Sequence, residues 1–134
     1  MTFTLIAIDR ETGEIGCTAA SCWPALGSVL PRFRPGVGVV VTQHFAHLMM
    51  AETMLDRLGQ REGRDHPGHL AASIRSFAPS TRQYAYATLD GHLFGWTGDH
   101  CEPFAGHHAD DDCVAIGNTL ANDRVLTAMV ERFS

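Results

Sequence analysis

The chain has 134 residues, 45% of them hydrophobic and 19% charged, with a formal net charge of −5, a composition that suits one globular domain around a single core. Its ten bases are all arginine against fifteen acids, which argues against nucleic acid as a partner. No apolar run approaches the length of a membrane span and no basic-then-apolar leader opens the chain, so no membrane partner is expected and a cytoplasmic location is.

Met1 to Asp9 contains the apolar run Leu5–Ile8, which suits a strand covered on both faces. Removal of the initiator Met would make Thr2 the first residue. Its hydroxyl would then sit beside a free α-amine, whose ordinary pKa of about 8 lets it act as a base near neutrality. One residue would be both nucleophile and base. The plainer reading is that threonine favours strands.

Arg10 to Gly13 reads as a turn, and Glu14 to Ala20 as a strand returning antiparallel to the first. Ser21 to Gly36, rich in proline, glycine, serine and arginine, reads as a long loop of the kind that is more often functional than idle. It carries Cys22, Arg32 and Arg34. Val37 to Gln43 is a second strand apolar on both faces.

Met50, Ala51, Met54, Leu55 and Leu58 recur at helical spacing between Ala46 and Gly59, as do Leu70, Ala71, Ile74, Phe77 and Ala78 in the next segment. Methionines at this spacing fill cores more often than they line pockets. Gln83 to Leu89 and His92 to Thr97 form a hairpin about Asp90-Gly91. Gly98 to Asp112 is polar and loop-like, Cys113 to Gly117 is a short strand, and Asn122 can cap a last helix with the stripe Val125, Leu126, Met129, Val130 and Phe133. Antiparallel hairpins followed by helices give an α+β class, one domain over 1–134.

The run His107 to Cys113 gathers histidine, aspartate and cysteine, but adjacent ligands point apart, and a solvated acidic loop is the reading preferred to a metal site. The cysteines Cys17, Cys22, Cys101 and Cys113 show no C-x-x-C pair and are expected reduced. Cys22 assisted by His44 or His47 is an alternative nucleophile. The glycines match no phosphate-binding fingerprint, and no cofactor is expected.

Met1-Thr2-Phe3-Thr4 with Ala7-Ile8-Asp9, then Ala20-Ser21, Gly27-Ser28-Val29, Pro31, Gly36-Val37-Gly38 and Thr42-Gln43, and later Thr97-Gly98, Cys101, Ala105-Gly106-His107, Gly117-Asn118 and Leu120-Ala121, resemble the bacterial family called domain of unknown function 1028. That family is grouped with the N-terminal nucleophile hydrolases, which include the proteasome β subunits. The resemblance implies an αββα sandwich, here missing the last helix and strands.

It also implies roles. Thr2 matches the nucleophile, backbone N–H groups near Gln43 and His44 the oxyanion donors, and Asn118 a polar side chain near the terminal amine. Ser21 falls where relatives place an acid. The usual lysine is missing, leaving Arg32 or Arg34 as the nearby cation. The implied activity is hydrolysis of a small amide or lactam, a small-molecule partner; the alternative is a catalytically silent ligand-binding or assembly module. Because the family's closing strands lie against the N-terminal strand, their absence predicts a free apolar edge and a two-fold homo-oligomer.

Overall fold

The computed structural model describes residues 1–60 and 80–134. Among them, eight strands form two antiparallel sheets. The first sheet holds β1 (Thr2–Asp9), β2 (Glu14–Ser21), β7 (Gly106–Ala109) and β8 (Cys113–Asn118) in the order β2-β1-β8-β7. The second holds β3 (Pro31–Arg34), β4 (Gly38–Gln43), β5 (Gln83–Thr88) and β6 (Leu93–Thr97) in the order β3-β4-β5-β6. Helix α1 spans Leu48–Gly59 and α2 spans Arg124–Phe133. The stripe predicted around Leu70 to Ala78 lies outside the described residues. No described helix is long and apolar enough to cross a membrane.

Alternation along each strand sorts the side chains into layers. Ile6, Ile8, Val39, Val41, Ala85, Ala87, Val114 and Ile116 meet between the sheets. On the far face of the second sheet, Val40, Tyr84 and Tyr86 pack under Met50, Ala51, Met54 and Leu55 of α1. On the far face of the first, Cys113 and Ala115 pack under Leu126 and Val130 of α2. Helix, sheet, sheet and helix thus stack in that order. Met50 and Met54 are core, as their spacing predicts, whereas Met49 is exposed. Burying a side chain such as Leu126 contributes roughly 2 kcal/mol.

The helix starts have local causes. His47 caps α1, its Nδ1 accepting the Met50 N–H at 3.0 Å, a role more usual for serine or aspartate. At α2 the Asn122 side chain accepts the Arg124 N–H at 3.0 Å, although the cap position itself is Asp123.

Two strands hide inside segments that read as loops. β3 carries a proline and two arginines, and β7 reads Gly-His-His-Ala. Both are edge strands, where proline, charge and polarity are tolerated because one side of the strand makes no ladder.

The expected free edge of the N-terminal strand is corrected. β1 is an interior strand, with Thr2 paired to Ser21 on one side and to Asn118 on the other. β8 fills the place assigned to absent strands, so the ground for a dimer through this edge is gone. Cover of β1 on both faces is also incomplete. Ile6 and Ile8 are buried inward, whereas Phe3, Leu5 and Ala7 are only half-buried beside α2. A shallow groove of about 610 Å³ there is lined by Leu5, Ala7, Gly16, Thr18 and Phe133 among others.

Gly38 starts β4 at φ 150°, and a Cβ built on it would lie 2.1 Å from the Ala87 carbonyl oxygen. Gly38→Ala is therefore expected to destabilise the domain by on the order of 2 kcal/mol, through backbone collision and strain together. Urea unfolding checks this: the midpoint should fall with an unchanged slope. An unchanged midpoint would mean that β4 and β5 part easily at this end.

Candidate active site

One end of the sandwich is polar, and the strand parity explains why. β1 begins there, β2, β4, β6 and β8 end there, and β5 and β7 begin there. Thr2 and Thr4 share a face with Ile6; Gln43 with Val41; Gln83 with Ala85; Asn118 with Ile116. All therefore point between the sheets, where they replace the apolar core with a polar layer.

The layer is hydrogen-bonded throughout. Thr4 Oγ1 donates to Gln43 Oε1 at 2.8 Å, and Gln43 Nε2 donates to Gln83 Oε1 at 3.0 Å. Asn118 Nδ2 donates to the same Gln83 oxygen at 2.8 Å. Gln83 Nε2 faces the carbonyls of Gly117 at 2.7 Å and Gly106 at 3.0 Å, and Thr97 Oγ1 at 2.9 Å. Two carbonyls can only accept, which settles which end of the Gln83 amide carries nitrogen. Thr4, Gln43, Gln83 and Asn118 are all at most 5% exposed. Each left unpaired would cost about 1–3 kcal/mol. Gln83 thus ties the two sheets together across the end of the core.

Thr2 stands at the open side of this layer, half-buried. Its Oγ1 lies 2.9 Å from Ser21 Oγ. Ser21 Oγ also donates to the Met1 carbonyl at 3.2 Å and accepts the Trp23 N–H at 3.3 Å, which leaves Thr2 to donate its hydroxyl hydrogen to Ser21. Thr2, Ser21 and Asn118 are brought together by strand pairing, and Gln43 reaches the same layer from the opposite sheet. None of Thr2, Thr4, Ser21, Gln43, Gln83, Thr97 or Asn118 has an ionisable side chain.

His44 turns the chain out of β4 with a left-handed φ of 64°. Its Nδ1 meets the Thr81 carbonyl and its Nε2 receives the Glu102 N–H at 3.4 Å. A carbonyl can only accept, so Nδ1 donates to Thr81. The ring is thus a pin between loops.

Arg34 is corrected as a site residue. It pairs with Gly38, at the end of β4 remote from Gln43, roughly 17 Å away along the strand. Its guanidinium bonds Asp56 at 2.5 Å and Glu52 at 3.0 Å on α1, and the Asp56 bond raises its pKa above the ordinary value. Arg32 likewise faces Glu52 at 3.7 Å. Both cations hold α1 on its sheet.

The thiol alternative fares no better, since neither His44 nor His47 bonds Cys22. Burial pushes the Cys17 and Cys113 thiols up to about 11 and raises that of Cys101, so these three stay protonated at neutral pH. In the acidic loop, Asp110 closes a turn. It accepts the Ser134 hydroxyl and the N–H groups of Asp112 and Cys113, which hold its carboxyl down to about 2. Asp112 pairs with Arg10 at 2.6 Å.

Thr4, Gln83 and Thr97 are site residues that sequence reasoning missed. A partial signal was there: Gln43 and Gln83 are amides at the ends of largely apolar strands, although their inward phase needs the sheet register.

No curated protein matches the chain. Among solved structures, a crystal structure of a Silicibacter pomeroyi protein of the family DUF1028 superposes with a TM-score of 0.89 at 29% sequence identity. The match covers 98% of this chain and 61% of that one, so the chain spans less than two thirds of its relative's length. The family of unknown function DUF1028 matches residues 2–134, and the chain belongs to that family.

Proposed function

We propose that the protein is an amidohydrolase of the N-terminal nucleophile type, acting on a small amide or lactam once Met1 has been removed. The observation that supports this reading is the Thr2 pole itself: a hydroxyl 2.9 Å from Ser21 Oγ, at the open side of a layer of hydroxyl and amide side chains in which His107 meets Thr97 at 3.2 Å. The base would then be the Thr2 α-amine, freed by removal of Met1. Thr2 Oγ1 attacks the substrate carbonyl carbon while the α-amine takes the hydroxyl proton. Backbone N–H groups around Gln43 and His44 hold the developing oxyanion. The C–N bond breaks, the proton passes to the leaving amine, and water then hydrolyses the ester on Thr2 with the amine again as base. Asn118, paired with Thr2 in the sheet, orients the α-amine.

The four-layer stacking is compatible with the αββα sandwich of that superfamily, and the absence of lysine, together with Arg32 and Arg34 committed to α1, favours a small amide over peptide substrates. The second reading is a silent binding module, favoured if Met1 stays, because Thr2 then has no free α-amine to act as its own base.

Intact-mass measurement after treatment with a sulfonyl fluoride tests the proposal. A chain beginning at Thr2 is expected to gain one adduct, mapped to Thr2, and a chain that keeps Met1 none. Equal labelling of both, or labelling of neither, sinks the nucleophile assignment.

A further inference from the structure

Helix α1 separates its charges by face. Glu52 and Asp56 turn to β3, where they bond Arg32 and Arg34. Elsewhere on the helix, Met49, Met50, Thr53, Met54 and Arg57 wall a cavity of about 280 Å³, which His47 and Arg82 complete. No described acid lines it, in a chain whose acids outnumber its bases by fifteen to ten.

Two donors at this cavity are anchored, yet unpaired where they would meet a ligand. Arg82 is half-buried and donates from Nε to the Phe45 carbonyl at 3.1 Å. That bond holds the guanidinium beside the segment that carries His47 and leaves both terminal nitrogens without a partner among the described residues. His47 Nδ1 accepts the Met50 N–H at 3.0 Å, so the ring hydrogen is on Nε2, which likewise has no partner among the described residues. The rest of the wall is apolar. Met50 and Met54 are buried behind it, and Met49, 70% exposed, stands at its rim. The Thr53 hydroxyl is already given to the Met49 carbonyl at 2.8 Å.

We propose that this cavity binds a small apolar monocarboxylate. The terminal N–H groups of Arg82 form a planar fork that matches two carboxylate oxygens, and His47 Nε2–H adds a neutral donor. The hydrocarbon lies along the three methionines, whose unbranched thioethers adapt to an aliphatic chain. A multiply charged anion such as phosphate is a poorer occupant, because thioethers and methyl groups line the cavity where further donors would be needed. Arg57 lies towards the far end of α1, and the assignment does not depend on it. Nor does it depend on the chemistry of Thr2: α1 packs on the far face of the second sheet, whereas the Thr2 layer lies between the sheets.

The test is NMR titration of the protein, with its methionine methyl groups labelled, against hexanoate, hexanamide, acetate and inorganic phosphate. Chains that keep Met1 serve as well as chains that lose it. Hexanoate is expected to shift the Met49, Met50 and Met54 methyls and to bind about tenfold tighter than hexanamide, which has the same chain without the charge. Arg82→Gln should narrow that preference to within about twofold. Met49→Glu sets a like charge at the rim and should weaken hexanoate by about tenfold. Because Met49 is exposed, this second variant keeps the fold and decides the matter even if the loss of Arg82 disturbs the loop at Phe45. Equal affinity for hexanoate and hexanamide, hexanoate no tighter than acetate or phosphate, or Met49→Glu without effect would each overturn the proposal.

Discussion

Thr2→Ala is expected to lower amide turnover by on the order of a thousandfold or more, and Thr2→Ser to retain a measurable fraction. Alanine keeps the free α-amine but has no oxygen to attack with. Serine keeps both groups and loses only the methyl. The strand pairing of Thr2 with Ser21 and Asn118 is made by the backbone, so neither change should disturb β1, and circular dichroism should be unaltered. Steady-state hydrolysis of a small amide by chains verified to start at residue 2 is the measurement. Activity that survives in the alanine variant, or appears in chains that retain Met1, would assign the chemistry elsewhere.

The largest effect on stability is expected at Gln83. Gln83→Ala strands the Gln43 and Asn118 amide donors and leaves the inward carbonyls of Gly106 and Gly117 facing a void. With about 1–3 kcal/mol for each buried group left unpaired, partly relieved by entering water, the loss should be on the order of 4 kcal/mol. That is a large part of the stability of a domain this size. Gln83→Glu distinguishes hydrogen bonding from packing. One carboxylate oxygen would accept from Gln43 and Asn118, but the other would face two carbonyls and be repelled. The folded state would then favour the protonated acid, and the acid's pKa would rise on folding. Stability of this variant should be greatest below about pH 4 and fall as pH rises above the unfolded value. Urea midpoints measured across pH check the sign; a variant whose midpoint rises with pH over that range would show that Gln83 does not face those carbonyls.

Much of the domain was legible in its residues because local rules and final packing agree. The hairpins about Gly13 and Asp90-Gly91 carry their turn residues, α1 its apolar stripe and the strand at Cys113 its apolar run, and each lies where those signals predict. The edge strands β3 and β7 were illegible for a specific reason. An edge strand makes only one ladder, so its sequence need not be apolar, and Pro-Arg-Phe-Arg or Gly-His-His-Ala looks like loop until a neighbour supplies the pairing.

The candidate site divides along the same line. Thr2 could be chosen from sequence because its chemistry requires only a position in the chain. Its setting could not. In β4 and β8, strands buried on both faces, alternation of polarity is absent, so the phase that points Gln43 and Asn118 inward is invisible without the sheet register. The same register separates Arg34 from Gln43 by the length of β4 and gives Arg34 to α1. The sequence by itself determined the class, most of the elements and a candidate nucleophile, since these follow from periodicity and residue chemistry. Only the tertiary structure decided that β1 is interior and that Gln83 joins the sheets, because pairing between strands up to about a hundred residues apart depends on which faces are buried together.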